Sequence, residues 1–233
     1  MREIVAPGRY VAIPDSAPER DIPWVMACHG SGREALSYRD VPFYRRQRDI
    51  ALAEGCVFAS CSMGADTYGT ERGLSMLEAF YDQVRTCLPV RKKTALWGSS
   101  AGGCVMLRFA MAHPERVALL LGTFPVIDPC SVFHLESMRS AWGNLSDAAL
   151  LEKIAPWNPI EHGACWPDVP IVIAHGRRDR AVPVEKNALA LEKLLGERVR
   201  LFITNDEHST GAFGLYDTPL YAQALAQMVK TTQ

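Results

Sequence analysis

Thr94-Ala95-Leu96-Trp97-Gly98-Ser99-Ser100-Ala101-Gly102-Gly103-Cys104-Val105-Met106-Leu107-Arg108-Phe109-Ala110 is the stretch whose reading decides the fold. Its first four residues form a short apolar run of strand length, and the residues from Gly103 onward suit a helix. Between them stands a G-x-S-x-G pattern centred on Ser100. A serine hydroxyl that stands proud at a strand-to-helix turn needs strained backbone and small neighbours, which glycines at 98 and 102 supply. Ser100 is therefore a candidate nucleophile. A Gly/Ser cluster between two elements is also an ordinary turn, so the rest of the chain has to decide.

Working outward, apolar β-branched runs alternate with longer segments of helical period, the pattern of an α/β protein with a mostly parallel central sheet and helices on both faces. Strands are expected at Arg9 to Ile13, Trp24 to Cys28, Val57 to Cys61, Thr94 to Trp97, Val117 to Leu121, Ile171 to Ala174 and Val199 to Ile203. Helices are expected at Val41 to Glu54, Gly73 to Cys87, Ala101 to His113, Val184 to Leu195 and Leu220 to Lys230. The alternation breaks over residues 125–169, which hold five prolines, three tryptophans and a short amphipathic piece from Leu145 to Ile154. That segment reads as a small cap-like insertion on one domain spanning residues 1–233.

Chemistry in open α/β sheets gathers outside the carboxyl ends of the strands, so the residues after each expected strand matter most. His29-Gly30-Ser31-Gly32 follows the strand ending at Cys28, and its glycines let backbone N–H groups point into one space. Gly30 and Ser31 are candidate oxyanion donors, with the Ala101 N–H at the start of a helix as the other half; the bland alternative is a glycine turn. Asp179 lies in the polar loop His175 to Pro183 and is the candidate orienting carboxylate, unless it serves only Arg177, Arg178 or Arg180. His208, in Asn205-Asp206-Glu207-His208-Ser209-Thr210-Gly211 before the last helix, is the candidate general base. His113 sits at a helix end, His134 and His162 lie in the insertion, and His175 reads as a locally bonded strand-end residue.

Ser100, Asp179 and His208, in that chain order and each after a strand, resemble the α/β-hydrolase superfamily. The resemblance runs from His29-Gly30-Ser31-Gly32 through the elbow to His175-Gly176-x-x-Asp179-x-x-Val182-Pro183 and His208, nearly the whole chain. Its nearest forms are the small carboxylesterase, dienelactone-hydrolase-like and prolyl-oligopeptidase-like catalytic domains. It implies an α/β-hydrolase fold, a Ser-His-Asp triad of Ser100, His208 and Asp179, and no cofactor. Glu207 departs from the pattern, since many relatives carry a small residue before the histidine; its carboxylate either raises the histidine pKa or faces solvent. Cys28 reads as a strand residue and Asp66 as a poor substitute for the triad acid. Met63 to Gly69 is a candidate pocket lining. Trp142, Trp157, Trp166, Phe124 and Phe133 form either an apolar pocket above Ser100 or a core of the insertion itself.

The 233 residues, 48% hydrophobic and 22% charged, carry a formal net charge of -1. Such a chain is long enough for one well-buried domain and is not basic enough to suggest a nucleic-acid partner. Arg45-Arg46-Gln47-Arg48 and Arg91-Lys92-Lys93 read as solvated charges. The first thirty residues show no signal-peptide core and no apolar run reaches membrane-spanning length, so neither export nor a membrane is indicated. Seven cysteines, an odd number without C-x-x-C, suit a reducing cytoplasm, and the six histidines lack metal-ligand spacing, so no metal is expected. Taken together these features point to a serine hydrolase of a small carboxylic ester, working through an acyl-enzyme on Ser100. A peptidase or amidase, an acyltransferase, and a low-turnover ligand-binding module share the same constellation; the peptidases of this type carry a propeller for which 233 residues leave no room. Oligomeric state is not encoded in any motif.

Overall fold

In the computed structural model, which describes residues 1–231, the Thr94–Ser99 strand sits in the middle of an eight-stranded sheet and is buried along its whole length. The strands are β1 Arg2–Ala6, β2 Arg9–Ile13, β3 Trp24–Cys28, β4 Val57–Cys61, β5 Thr94–Ser99, β6 Val117–Thr123, β7 Ile171–Gly176 and β8 Val199–Thr204. They lie in the order β1-β2-β4-β3-β5-β6-β7-β8. The pairings β1 with β2 and β2 with β4 are antiparallel, and all those from β4 to β8 are parallel. This is the α/β-hydrolase arrangement, as expected.

Side-chain alternation along β5 explains why it is apolar throughout. Leu96 points to one face, where it joins Met26, Leu120 and Phe109, while Ala95 and Trp97 point to the other, with Val25, Leu121 and Tyr221. A strand covered on both faces has no solvent side and needs no polar alternation; each such Leu or Val contributes about 2 kcal/mol of burial free energy. The first face is covered by α3 (Glu71–Cys87), α4 (Gly102–Ala112) and α7 (Ala188–Leu195), the second by α1 (Ser37–Asp40), α2 (Pro42–Ala53) and α8 (Leu220–Thr231).

Several boundaries differ from the sequence expectation for local reasons. β1 has no buried residue, so the apolar signal that marks the other strands is missing; it pairs at the sheet edge with β2 across a turn in which Gly8 has φ 67°. The third helix begins at Glu71 rather than Gly73 because the Thr70 hydroxyl accepts the Gly73 N–H at 3.0 Å and caps it. The helix expected from Val184 begins at Ala188, because residues 184–187 turn, with Asn187 N–H bonded to the Val184 carbonyl at 3.3 Å. Within the solvated cluster, Arg45 and Arg46 are exposed, but Gln47 and Arg48 are buried, so that reading is corrected for those two. Helical periodicity turns them inward, where Arg48 donates to the Tyr10 hydroxyl at 3.1 Å.

Residues 125–169 connect β6 to β7 and carry α5 (Glu136–Ala141) and α6 (Asp147–Ile154). Their apolar side chains, including Val132, Met138, Ile154 and Trp157, pack with Tyr68 and with Ala101 and Cys104 at the start of α4. The segment is thereby fastened beside the serine turn. No helix among the described residues is long and apolar enough to cross a membrane.

Close approach at the turn makes a stability prediction. A Cβ on Gly102 would sit 2.1 Å from the Cys28 carbonyl oxygen, whereas one on Gly211 would meet only Ser209 Oγ at 3.5 Å. Urea denaturation is expected to show Gly102→Ala destabilised by about 3 kcal/mol or more and Gly211→Ala changed by less than about 0.5 kcal/mol.

Candidate active site

Ser100 takes up the left-handed conformation, φ 52°, directly after β5. That conformation costs about 1–2 kcal/mol for a residue with a Cβ, and the surroundings hold it there. The Ser100 carbonyl accepts the N–H groups of Gly103 and Val126, both at 2.9 Å, and its own N–H donates to the Thr123 carbonyl at 3.3 Å. Gly102 and Gly103 allow α4 to begin in contact with Cys28 and Val126, positions where a Cβ does not fit.

The three candidate triad residues come together although 108 positions separate Ser100 from His208. Ser100 Oγ lies 2.8 Å from His208 Nε2, and His208 Nδ1 lies 2.7 Å from Asp179 Oδ2. Asp179 is 1% exposed by its side chain and His208 21%. The loops that carry them are pressed against each other. Arg177 and Arg178 N–H groups bond to the Thr204 and Asp206 carbonyls at 2.9 and 3.1 Å, and a Cβ on Gly176 would lie 2.3 Å from the Asp206 carbonyl oxygen.

Burial by itself would push the Asp179 carboxyl up, but hydrogen bonds from His175 and His208, the His208 charge and the Val182 N–H together hold it down at about 2. An ionised carboxylate only accepts, so Nδ1 of His208 carries the proton and Nε2 is left to accept from the Ser100 hydroxyl. Oδ1 of Asp179 accepts the Val182 N–H at 2.7 Å. Oδ2 is also 3.3 Å from Nε2 of His175, which donates to the Val182 carbonyl at 2.8 Å and so must be the protonated nitrogen. His175, read from the sequence as merely local, is thus a third donor around the carboxylate. Only its place four residues before Asp179 hinted at this.

Phe124 is the other strained residue here, with φ 39° directly after β6. Its N–H donates to the Ala174 carbonyl at 2.8 Å, and its ring lies 4.4 Å from the His208 ring while stacking on Phe43 at 5.2 Å. The remaining aromatic residues separate. Trp142 and Trp157 stack on each other within the 125–169 segment, with Phe133 nearby, while Trp166 joins the main core. Beneath the turn, the buried Gln47 amide donates to Ser99 Oγ at 2.7 Å and to the Tyr216 hydroxyl at 2.9 Å, tying α2 to the serine turn and to the segment after His208.

The oxyanion candidates narrow. The Gly30 N–H is already engaged with the Tyr44 hydroxyl at 3.3 Å, which corrects its reading as a free donor; a Cβ at position 30 would lie 3.2 Å from Ser100 Cβ, so glycine there lets the loop reach the serine. Among the described residues the N–H groups of Ser31 and Ala101 have no protein acceptor. His29 braces this loop from beneath. Its Nε2 accepts the Met63 N–H at 3.0 Å, so Nδ1 carries the proton and donates to the Gly30 carbonyl at 2.9 Å.

A cleft of about 330 Å³ opens over Ser100 and His208, lined also by Ser31, Arg33, Tyr44, Phe124, Ser209 and Thr210. Residues 63–69 do not line it; Tyr68 instead bonds Ser137 at 2.7 Å in the neighbouring segment. Glu207 turns outward, 3.7 Å from Arg178 and 68% exposed, which decides for solvent. Asp66 accepts from Thr70 at 2.5 Å, away from His208, and Cys28 is buried within β3. His113 bonds Glu78 at 2.6 Å and His162 the Ala155 carbonyl at 2.7 Å.

Residues 74–232 match the model of the Esterase family, described as "Putative esterase". The chain belongs to this family. This esterase has its fold in common with FphF, a fluorophosphonate-binding serine hydrolase of Staphylococcus aureus, at 17% identity over 98% of this chain and 97% of that one, TM-score 0.69. An S-formylglutathione hydrolase from Agrobacterium tumefaciens matches at 16% identity over 93% and 89%, TM-score 0.70. Est1E from Butyrivibrio proteoclasticus matches at 16% identity over 98% and 96%, TM-score 0.63. No curated protein matches the sequence. The esterase is an ester-hydrolysing enzyme by family.

Burial lowers the His29 imidazole to about 4, only partly offset by its bond to the Gly30 carbonyl. The unfolded chain takes up a proton near the ordinary 6.5 and the folded one does not until about 4, so the contribution is complete above 6.5 and is lost as pH falls towards 4. Thermal unfolding at stepped pH is expected to show stability falling by about 3 kcal/mol across that window from this group alone, with a correspondingly shallower slope in His29→Gln.

Proposed function

We propose that this esterase hydrolyses a small carboxylic ester through an acyl-enzyme on Ser100, with His208 as general base and Asp179 as the orienting carboxylate. The observation that carries this is the unbroken chain of two short hydrogen bonds, 2.8 Å from Ser100 Oγ to His208 Nε2 and 2.7 Å from His208 Nδ1 to Asp179 Oδ2.

In this reading Ser100 Oγ attacks the ester carbonyl carbon as its proton passes to Nε2 of His208. Negative charge grows on the carbonyl oxygen, where the unengaged N–H groups of Ser31 and Ala101 receive it, the latter helped by the positive end of α4. The imidazolium is stabilised by ionised Asp179, and the carboxylate keeps its charge throughout. Collapse expels the alcohol, which takes its proton from His208. Water then attacks the acyl-enzyme with His208 again as base, releasing the acid and restoring Ser100. No cofactor or metal enters the sequence of steps.

The cleft volume supports a small substrate, since about 330 Å³ is at the lower end of ligand sites. Residues 1–233 act as one domain in this reading, with the 125–169 segment a small cap whose contacts with Ala101, Cys104 and Tyr68 border the site.

Purified protein is expected to hydrolyse p-nitrophenyl acetate, with kcat reduced by about 10⁴-fold or more in Ser100→Ala. Asp179→Asn is expected to keep its fold by circular dichroism while kcat falls about 10³- to 10⁴-fold, because an amide no longer holds His208 in the right tautomer. Wild-type turnover in either variant rules out the assigned role.

A further inference from the structure

The cleft over Ser100 holds one permanent charge and nothing to neutralise it. Arg33 lines the same cleft as Ser100 and His208, and no carboxylate is among the residues lining it; Asp179 is shut away behind the imidazole. The guanidinium makes no hydrogen bond or ion pair with any described residue. Arg48, Arg108 and Arg116 reach the carboxylates of Asp49, Glu71 and Asp82, and half-buried Arg91 gives its donors to the Asp21 and Val229 carbonyls. Arg33 also borders an adjoining groove that Glu34 and Asp40 line, but neither carboxylate forms an ion pair with it, and Asp40 is held by Arg39 at 2.8 Å.

Arg33 is also placed by the oxyanion loop. Its N–H donates to the Gly30 carbonyl at 3.3 Å, closing the turn that carries Ser31, so the side chain leaves the backbone two residues after a proposed oxyanion donor. It is half-buried and lies near enough to Tyr44 for its charge to draw that hydroxyl's pKa down against the larger effect of burial. A half-desolvated guanidinium without a partner is costly to maintain unless something fills its donor positions, and its planar fork matches a carboxylate.

Resting on Ser100 as nucleophile, we infer that Arg33 selects esters that carry a carboxylate, held against the guanidinium while the ester carbonyl lies at Ser100. The carboxylate belongs to either the acyl or the alcohol portion, and two pairs of substrates separate these sources. Mono-p-nitrophenyl succinate against p-nitrophenyl butyrate places the charge on the acyl side. 4-Acetoxybenzoate against its methyl ester places it on the leaving group.

For at least one pair, kcat/KM for the anionic member is expected to exceed that for the neutral one in wild type. The anionic-to-neutral ratio then falls about tenfold to a hundredfold in Arg33→Gln. Arg33→Lys restores part of the ratio, and about 0.5 M salt shrinks it in wild type but not in Arg33→Gln. A wild-type preference for the neutral member of both pairs, or ratios unchanged by Arg33→Gln, overturns the inference. The ratio reads Arg33 whichever group attacks the ester, whereas an error in the nucleophile shows separately as turnover that survives Ser100→Ala.

Discussion

The close approach of α4 to the ends of β3 and β6 is the constraint on which the rest of the site depends. A helix separated from the preceding strand by only two residues, Ser100 and Ala101, must reverse direction in a turn too tight for ordinary backbone, and Ser100 absorbs the change at φ 52°. Gly102 and Gly103 make this possible because α4 starts against the Cys28 and Val126 carbonyls, where side chains are excluded. The strain is thus balanced by ordinary interactions: two hydrogen bonds to the Ser100 carbonyl and the burial of α4 between sheet and helices. The same geometry leaves the Ala101 N–H free and turns Ser100 Oγ towards the loop after β8.

Electrostatic order follows from that placement. Asp179 is buried, which alone would favour its protonated form, yet three donors surround its two oxygens and keep it ionised. That charge fixes the His208 tautomer, which in turn leaves Nε2 open towards Ser100. Phe124, strained like Ser100 at the end of the neighbouring strand, packs its ring against the imidazole at 4.4 Å and an angle of 44°. The polar plug around Gln47 ties the turn to the segment after His208, so the two halves of the site share a support.

Much of this was legible in the sequence because it depends on local chemistry. The glycines around Ser100, the apolar run of β5 and the polar loops carrying Asp179 and His208 each announce themselves within a few residues. What escaped depends on long-range contact or on backbone angle. β1 has no buried face to mark it, and Phe124 gives no sign that its φ is positive. Gln47 reads as one more polar residue in a charged helix until the fold turns it inward, and Gly30 reads as a donor until Tyr44, fourteen residues on, occupies its N–H. His175 was visible as a strand-end residue, but its bond to the carboxylate appears only when the chain between 175 and 182 closes on itself.

Whether Ser100 forms the covalent intermediate is answered most directly by mass spectrometry of the protein treated with an alkyl fluorophosphonate and digested. The expected result is a single adduct on the peptide carrying Ser100, absent from Ser100→Ala and formed at least about a hundredfold more slowly in His208→Ala. Active ester hydrolysis with no adduct, or with the adduct on another residue, contradicts a serine acyl-enzyme at this turn.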